Sequence, residues 1–219
     1  MGAGYIATTS DQPTMAIESF NLPDGDMLYV PDFLTAIEAD GYLCALQDNI
    51  QWEQHQIMIF GRRRCVPRLS AWHGDPEAHY RYSGLALAPQ PWTVILRRLK
   101  SRIEADVDAQ FNSVLLNKYR DGQDSMGWHS DDEAELGSEP TIASLSLGGP
   151  RRFLLRHKGR KDLAPVEVPL NHGTLVVMRG PTQAHWQHQV PKTKRPVAAR
   201  INLTFRRIIG KGSKACRAV

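Results

Sequence analysis

TIASLSLGGPRRFLLRHKGRKDLAPVEVPLNHGTLVVM, residues 141–178, is a series of short apolar and β-branched runs broken by turn chemistry. TIASLSL (141–147), RRFLLRH (151–157), VEVPL (166–170) and GTLVVM (173–178) each have the length of one strand. Gly148-Gly149-Pro150 and Asn171-His172-Gly173 separate them, and Gly180-Pro181 follows. Working outward, SVLLNKY (113–119) runs into Asp121-Gly122 upstream, and AARINLTFRRI (198–208) lies downstream. Many short strands at this spacing predict a sandwich or barrel. Before Phe111 the texture is helical. FLTAIEADGYLCALQDN has apolar residues at helical spacing with Asp32 as the expected N-cap. PWTVILRRLKSRIEADV opens at Pro91 and sets Val94, Ile95, Leu99 and Ile103 on one side. The expected architecture is mostly β with flanking helices, in one domain over 26–219 behind a loose leader over 1–25.

Composition excludes several classes. With 42% hydrophobic and 23% charged residues in 219, the chain has the balance of a globular protein rather than a fibrous or low-complexity one. No run approaches the ~18 apolar residues of a membrane-spanning helix, so no membrane association is expected. MGAGYIATTSDQPTM lacks a basic start and an apolar stretch, so no secretion is expected either. Cys44, Cys65 and Cys216 form no CxxC pair, which argues for a reducing compartment and against a zinc site. The net charge of +4 is modest, but basic residues gather in Arg62-Arg63-Arg64 with Arg68, in 151–161 and in 206–217. A polyanionic partner and plain solvated surface both account for such runs.

Two patterns carry chemistry. In Gly127-Trp128-His129-Ser130-Asp131-Asp132, extended backbone points His129 and Asp131 the same way. Ala184-His185-Trp186-Gln187-His188 offers further imidazoles. Two imidazoles and one carboxylate make the facial triad that holds iron(II) with open positions for oxygen. The second pattern is the alternation in Arg200-Ile201-Asn202-Leu203-Thr204-Phe205-Arg206. Arg200, Asn202, Thr204 and Arg206 share one face of a strand, and Ile201, Leu203 and Phe205 the other. Either that polar face lies in water, or it lines an interior and needs an anion. A small dicarboxylate suits the bidentate fork of arginine.

HxD, a distant His and R-x-N-L-T-F-R together resemble the AlkB family of iron(II)- and 2-oxoglutarate-dependent nucleic-acid dealkylating dioxygenases. The resemblance runs from about Ile57 to Ile208 and is closest to members that repair duplex DNA. Asn117-Lys118-Tyr119-Arg120-Asp121-Gly122 looks like the strand entering the metal loop, His129-Ser130-Asp131-Asp132-Glu133 like the HxDDE segment, and residues 181–188 like the segment with the last ligand. The resemblance implies a double-stranded β-helix (jelly roll) core at about 111–209 with an N-terminal nucleotide-recognition lid at about 55–90. It assigns Fe(II) to His129, Asp131 and His188. His188 is preferred to His185 because it matches the family ligand twelve residues before the first arginine. It places Asn117, Tyr119, Arg200, Asn202, Thr204 and Arg206 around 2-oxoglutarate, with O2 as the other co-substrate.

The same resemblance frames the substrate side. Ring-methyl groups in a duplex reach a buried metal only if the base is flipped out. Met58-Ile59-Phe60-Gly61 beside the arginine run looks like an intercalating hairpin tip with Phe60 as wedge. Tyr80 and Tyr82 are stacking candidates, Arg68 a contact to substrate or phosphate, and Asp132 a residue facing the substrate or pairing with a neighbouring arginine. Trp72-His73 and Tyr82 stand where relatives carry other aromatics. The expected function is oxidative demethylation of N1-methyladenine and N3-methylcytosine in single- or double-stranded DNA, with release of formaldehyde. The rivals are the same chemistry on RNA and a non-catalytic nucleic-acid-binding jelly roll. A monomer is expected, cytoplasmic in a bacterial host or nuclear in a eukaryotic one.

Overall fold

The computed structural model describes residues 17–59, 61–82 and 85–209. The first part holds β1 (Glu18–Phe20), β2 (Asp26–Val30), α1 (Ala36–Asn49), β3 (Gln56–Ile59), β4 (Arg62–Cys65) and β5 (Leu69–Gly74). β6 (Tyr80–Tyr82), β7 (Leu85–Leu87), α2 (Val94–Val107), β8 (Ser113–Tyr119) and β9 (Met126–His129) follow. β10 (Ile142–Gly148), β11 (Arg151–His157), β12 (Val166–Leu170), β13 (Leu175–Arg179), α3 (Thr182–His185), β14 (Trp186–Val190) and β15 (Arg200–Arg206) complete it.

Two antiparallel sheets face each other, seven strands in the order β1-β2-β13-β10-β15-β8-β5 and four in the order β12-β11-β14-β9. This is the expected jelly-roll arrangement. Strand alternation creates two interiors. Val114, Leu116, Leu145, Leu147, Ile201, Leu203 and Phe205 leave one face of the large sheet and pack with α1 and α2. The opposite face joins Phe153, Leu155, Val168 and Trp186 of the small sheet. β15 is therefore buried on both faces, and its polar face is not the solvated face of an ordinary edge strand: Arg200 is 1% exposed and Asn202 and Thr204 7% each.

Local chemistry corrects several boundaries. Residues 18–20, read as leader, form β1 against β2, and Trp186 Nε1 donates to the Pro23 carbonyl at 2.9 Å. Thr35, not Asp32, caps α1. Its hydroxyl accepts from Glu38 N while Glu38 returns a bond to Thr35 N, a reciprocal box that satisfies two otherwise orphaned donors. Arg102 of α2 holds the same Glu38 at 2.6 Å and lowers its carboxyl pKa, after the Thr35 backbone bond. Thr93, two residues past Pro91, caps α2. That start rotates the buried stripe to Leu96, Leu99, Ile103 and Val107 and leaves Val94 exposed.

β3 and β4 form a separate hairpin, with Ile59 opposite Arg62 and Gly61 at φ +74 in its two-residue loop. All four residues of β4 and Met58 are exposed. Phe60, the expected wedge, lies outside the described residues. Among those residues no helix is long and apolar enough to cross a membrane.

His73 on β5 is 4% exposed; its Nδ1–H donates to the Pro91 carbonyl at 2.8 Å and its buried Nε2 has no hydrogen-bond partner. Burial holds this imidazole below its usual value of 6.5, although the Pro91 bond opposes the shift. The unfolded chain then binds more protons than the folded one below 6.5, so stability falls as pH falls toward the folded pKa. His73→Leu is expected to flatten that loss, measured as urea midpoints between pH 7 and 5; an unchanged slope would mean His73 titrates normally in the fold.

Candidate metal centre

His129 ends β9, Asp131 follows in the next loop, and His188 sits on β14 directly opposite His129 in register. Their ligand atoms all lie within 4.8 Å of one another, and the two imidazole rings are 4.2 Å apart at 67°. His129 Nδ1 faces the Gly127 carbonyl at 2.9 Å. A carbonyl only accepts, so Nδ1 carries a proton and Nε2 is the nitrogen left for a metal. His188 is 5% exposed, and burial pushes its pKa down to about 3, opposed chiefly by Asp131. It is a neutral nitrogen donor at physiological pH.

Asp131 is 3% exposed, and burial alone would raise its pKa. The Arg206 charge, and then His188 and His129, outweigh that effect and hold the carboxyl below its usual range. Arg206 Nη2 lies 2.5 Å from Oδ1. Gln183 of α3 accepts the Asp131 backbone N–H at 2.9 Å and donates to Met178 Sδ, which ties the loop to the helix. Two imidazole nitrogens and one carboxylate meeting at a point fit iron(II).

The triad and the row on β15 line one cavity, together with Asn117 and Tyr119 of β8. Arg200 Nη2 donates to Ser146 Oγ at 2.8 Å and Asn202 Oδ1 at 2.6 Å. Its Nε and Nη1, and Arg206 Nε, are buried without a hydrogen-bond partner. Burial lowers Arg200 to about 10, which leaves it charged at neutral pH. Its guanidinium stands 5.1 Å from the Tyr119 ring centroid, with that of Arg151 5.5 Å from the same ring. Buried cationic donors without acceptors fit the anionic, acceptor-only oxygens of 2-oxoglutarate. Within the cavity Arg206 lies beside Asp131 and Arg200 beside Tyr119.

A scan against family models matches residues 26–206 to the 2OG-Fe(II) oxygenase superfamily. "Alpha-ketoglutarate-dependent dioxygenase alkB homolog 3" of Mus musculus is 45% identical over 81% of this chain and 64% of its own length. "DNA oxidative demethylase ALKBH2" of Homo sapiens is 39% identical over 78% of this chain and 69% of its own. The chain belongs to the AlkB family of 2OG-Fe(II) oxygenases. It spans less than two thirds of the alkB homolog 3 sequences it matches. The solved structure of OsALKBH1 shares the fold with a TM-score of 0.58 at 19% identity, over 87% of this chain and all of that one. The family's metal and co-substrates are Fe(II), 2-oxoglutarate and O2.

Neither Asp132 nor Arg68 lines the cavity. Asp132 pairs with a lysine rather than the expected arginine, Lys158 at 2.8 Å, one residue from the triad. Arg68 donates from Nε to Asn117 Oδ1 at 2.9 Å and from Nη1 to the Ser125 carbonyl at 3.3 Å. Gly61 is at the hairpin tip, and Tyr80 and Tyr82 belong to the β6–β7 hairpin. His185 stays out of the triad and stacks on His157 near Asp24. That second cluster has the composition of a metal site but the wrong tautomer. His157 Nδ1 accepts the Gly159 and Arg160 N–H groups, so its proton sits on Nε2, facing Asp24 at 3.4 Å. No lone pair is left there for a metal.

Sequence reasoning missed Ser144, Ser146 and Gln183. The serines were legible, since they alternate with Ala143, Leu145 and Leu147. Gln183 had no signal. Gln183→Ala is expected to weaken metal binding about tenfold or more, as loss of groups supporting a ligand does. His185→Ala is expected to leave it within about twofold; Co(II) titration followed by absorption separates the two.

Proposed function

We propose that this protein is an oxidative DNA demethylase that reverses N-alkyl base lesions, with N1-methyladenine and N3-methylcytosine as its substrates. The observation that carries the reading is the single cavity in which the His-Asp-His triad meets buried guanidiniums with free donors. The human relative's name, DNA oxidative demethylase ALKBH2, supports the same chemistry. Fe(II) held by His129, Asp131 and His188 would supply oxidation by O2, one oxygen atom entering 2-oxoglutarate as it becomes succinate and CO2 and the other entering the methyl group, whose carbon leaves as formaldehyde.

The chain's own residues supply the surroundings. His129 and His188 present imidazole nitrogens, and Asp131 remains ionised because Arg206 is beside it. On our reading Arg206 and Asn117 take the metal-side carboxylate of 2-oxoglutarate, and Arg200 with Tyr119 the far one. A cationic methylated base gains attraction from aromatic side chains, the role we assign to Tyr80 and Tyr82. Phe60 and Gly61 form the wedge, and Asp132 faces the base beside the metal. The exposed arginines of β4 give the hairpin an electrostatic hold on phosphates.

The test is formaldehyde release coupled to succinate formation from oligonucleotides carrying N1-methyladenine, with Fe(II) and 2-oxoglutarate, beside His129→Ala. Stoichiometric products on DNA that disappear in the variant are expected. Turnover of methylated RNA alone would reassign the substrate, and specific binding without turnover would leave a nucleic-acid binder. Separately, replacing Arg62, Arg63 and Arg64 with Ala is expected to flatten the salt dependence of DNA binding, by about 0.7–0.9 in log–log slope per lost phosphate contact. An unchanged slope would make the run solvated surface.

A further inference from the structure

Asn117 is 4% exposed, lines the cavity and sits opposite Asn202 across the β8–β15 ladder. A carboxamide is ambivalent, because either branch can face a ligand. Here the ambiguity is removed. Arg68 Nε reaches Oδ1 at 2.9 Å, and a guanidinium only donates, so the oxygen must face it. Asn117 then has only its Nδ2 hydrogens for the cavity. That is the polarity a carboxylate requires and a cation or a donor ligand would not accept.

Arg68 is also fixed in the chain's architecture. It stands three residues after β4 and directly before β5, whose Ser70 pairs with Asn117. Its Nη1 donates to the Ser125 carbonyl, and Ser125 N donates to the Pro67 carbonyl at 2.9 Å. Met126, the next residue, begins β9, the strand that ends in His129. One side chain thus joins the loop behind the basic hairpin, the cavity strand and the turn leading into the metal strand.

We propose that Arg68 is a positioning residue for 2-oxoglutarate: it locks Asn117 as a hydrogen-bond donor and ties that lock to the seating of the β3–β4 hairpin. The proposal rests on reading the cavity as the 2-oxoglutarate site. It replaces a direct contact between Arg68 and substrate as the primary role of this residue.

The experiment measures 2-oxoglutarate affinity by calorimetry on the full chain loaded with Mn(II), for wild type, Arg68→Ala, Arg68→Lys, Asn117→Ala and the double alanine variant. Arg68→Ala is expected to weaken 2-oxoglutarate binding about tenfold, the scale of one hydrogen bond to a charged group. The double variant should be no weaker than Asn117→Ala alone, because Arg68 acts through that amide. Arg68→Lys, which retains a donor, should recover part of the loss, and Mn(II) affinity should stay unchanged throughout. Additive losses in the double variant would overturn the proposal. So would an unchanged 2-oxoglutarate affinity with only DNA binding reduced, which would return Arg68 to a substrate contact. Loss of Mn(II) affinity in Arg68→Ala would overturn it too, by making the residue a general prop. A wild-type protein that binds Mn(II) but no 2-oxoglutarate would refute the reading of the cavity itself, and the proposal with it.

Discussion

Arg200 is a cation buried between two sheets with two of its three nitrogens unpartnered. Removing such a group from water costs several kcal/mol, and neutral hydroxyl and amide acceptors recover only part of that. The chain offers Ser146, Asn202 and the face of Tyr119. What remains is a directed demand for anionic oxygen, held open by the packing around it.

The jelly roll makes this possible because its strands alternate between two environments. Ile201, Leu203 and Phe205 anchor β15 against the helices, and they fix by register the positions of Arg200, Asn202, Thr204 and Arg206. A one-residue slip would bury arginines among leucines, so the apolar face specifies the polar one. Beside Asp131 the same strand supplies Arg206, whose charge keeps that carboxyl ionised despite its burial. One strand thereby places a guanidinium beside Asp131 and another beside Tyr119.

How much of this was legible depended on whether the cause was local. The alternation of β15 could be read directly, as could the HxD pair, because strand geometry alone sets which side chains align. Whether the polar face met water or an interior could not be read, since that depends on the small sheet covering it. The start of α1, by contrast, was local and could have been read. Asp32 and Thr35 are both competent caps, and only Thr35 has Glu38 three residues on to close the box, with Arg102 from a distant helix to hold it. Gln183 holds Asp131 across 52 positions of sequence. No periodicity marks such a contact.

The two histidine clusters show where composition stops being informative. His129, Asp131 and His188 form one triad, and Asp24, His157 and His185 form another of the same residue types with comparable separations. The difference is where the second nitrogen of one imidazole points. His129 turns Nδ1 to a carbonyl and so leaves Nε2 as the nitrogen for a metal. His157 turns Nδ1 to two backbone N–H groups and so presents a proton. Burial reinforces the contrast, since Asp131 and His188 are removed from water while Asp24 and His185 are exposed. A metal site is therefore specified by the hydrogen bonds behind its ligands as much as by the ligands. The same reasoning applies at Asn117, where a guanidinium on the far side decides which half of an amide the cavity presents.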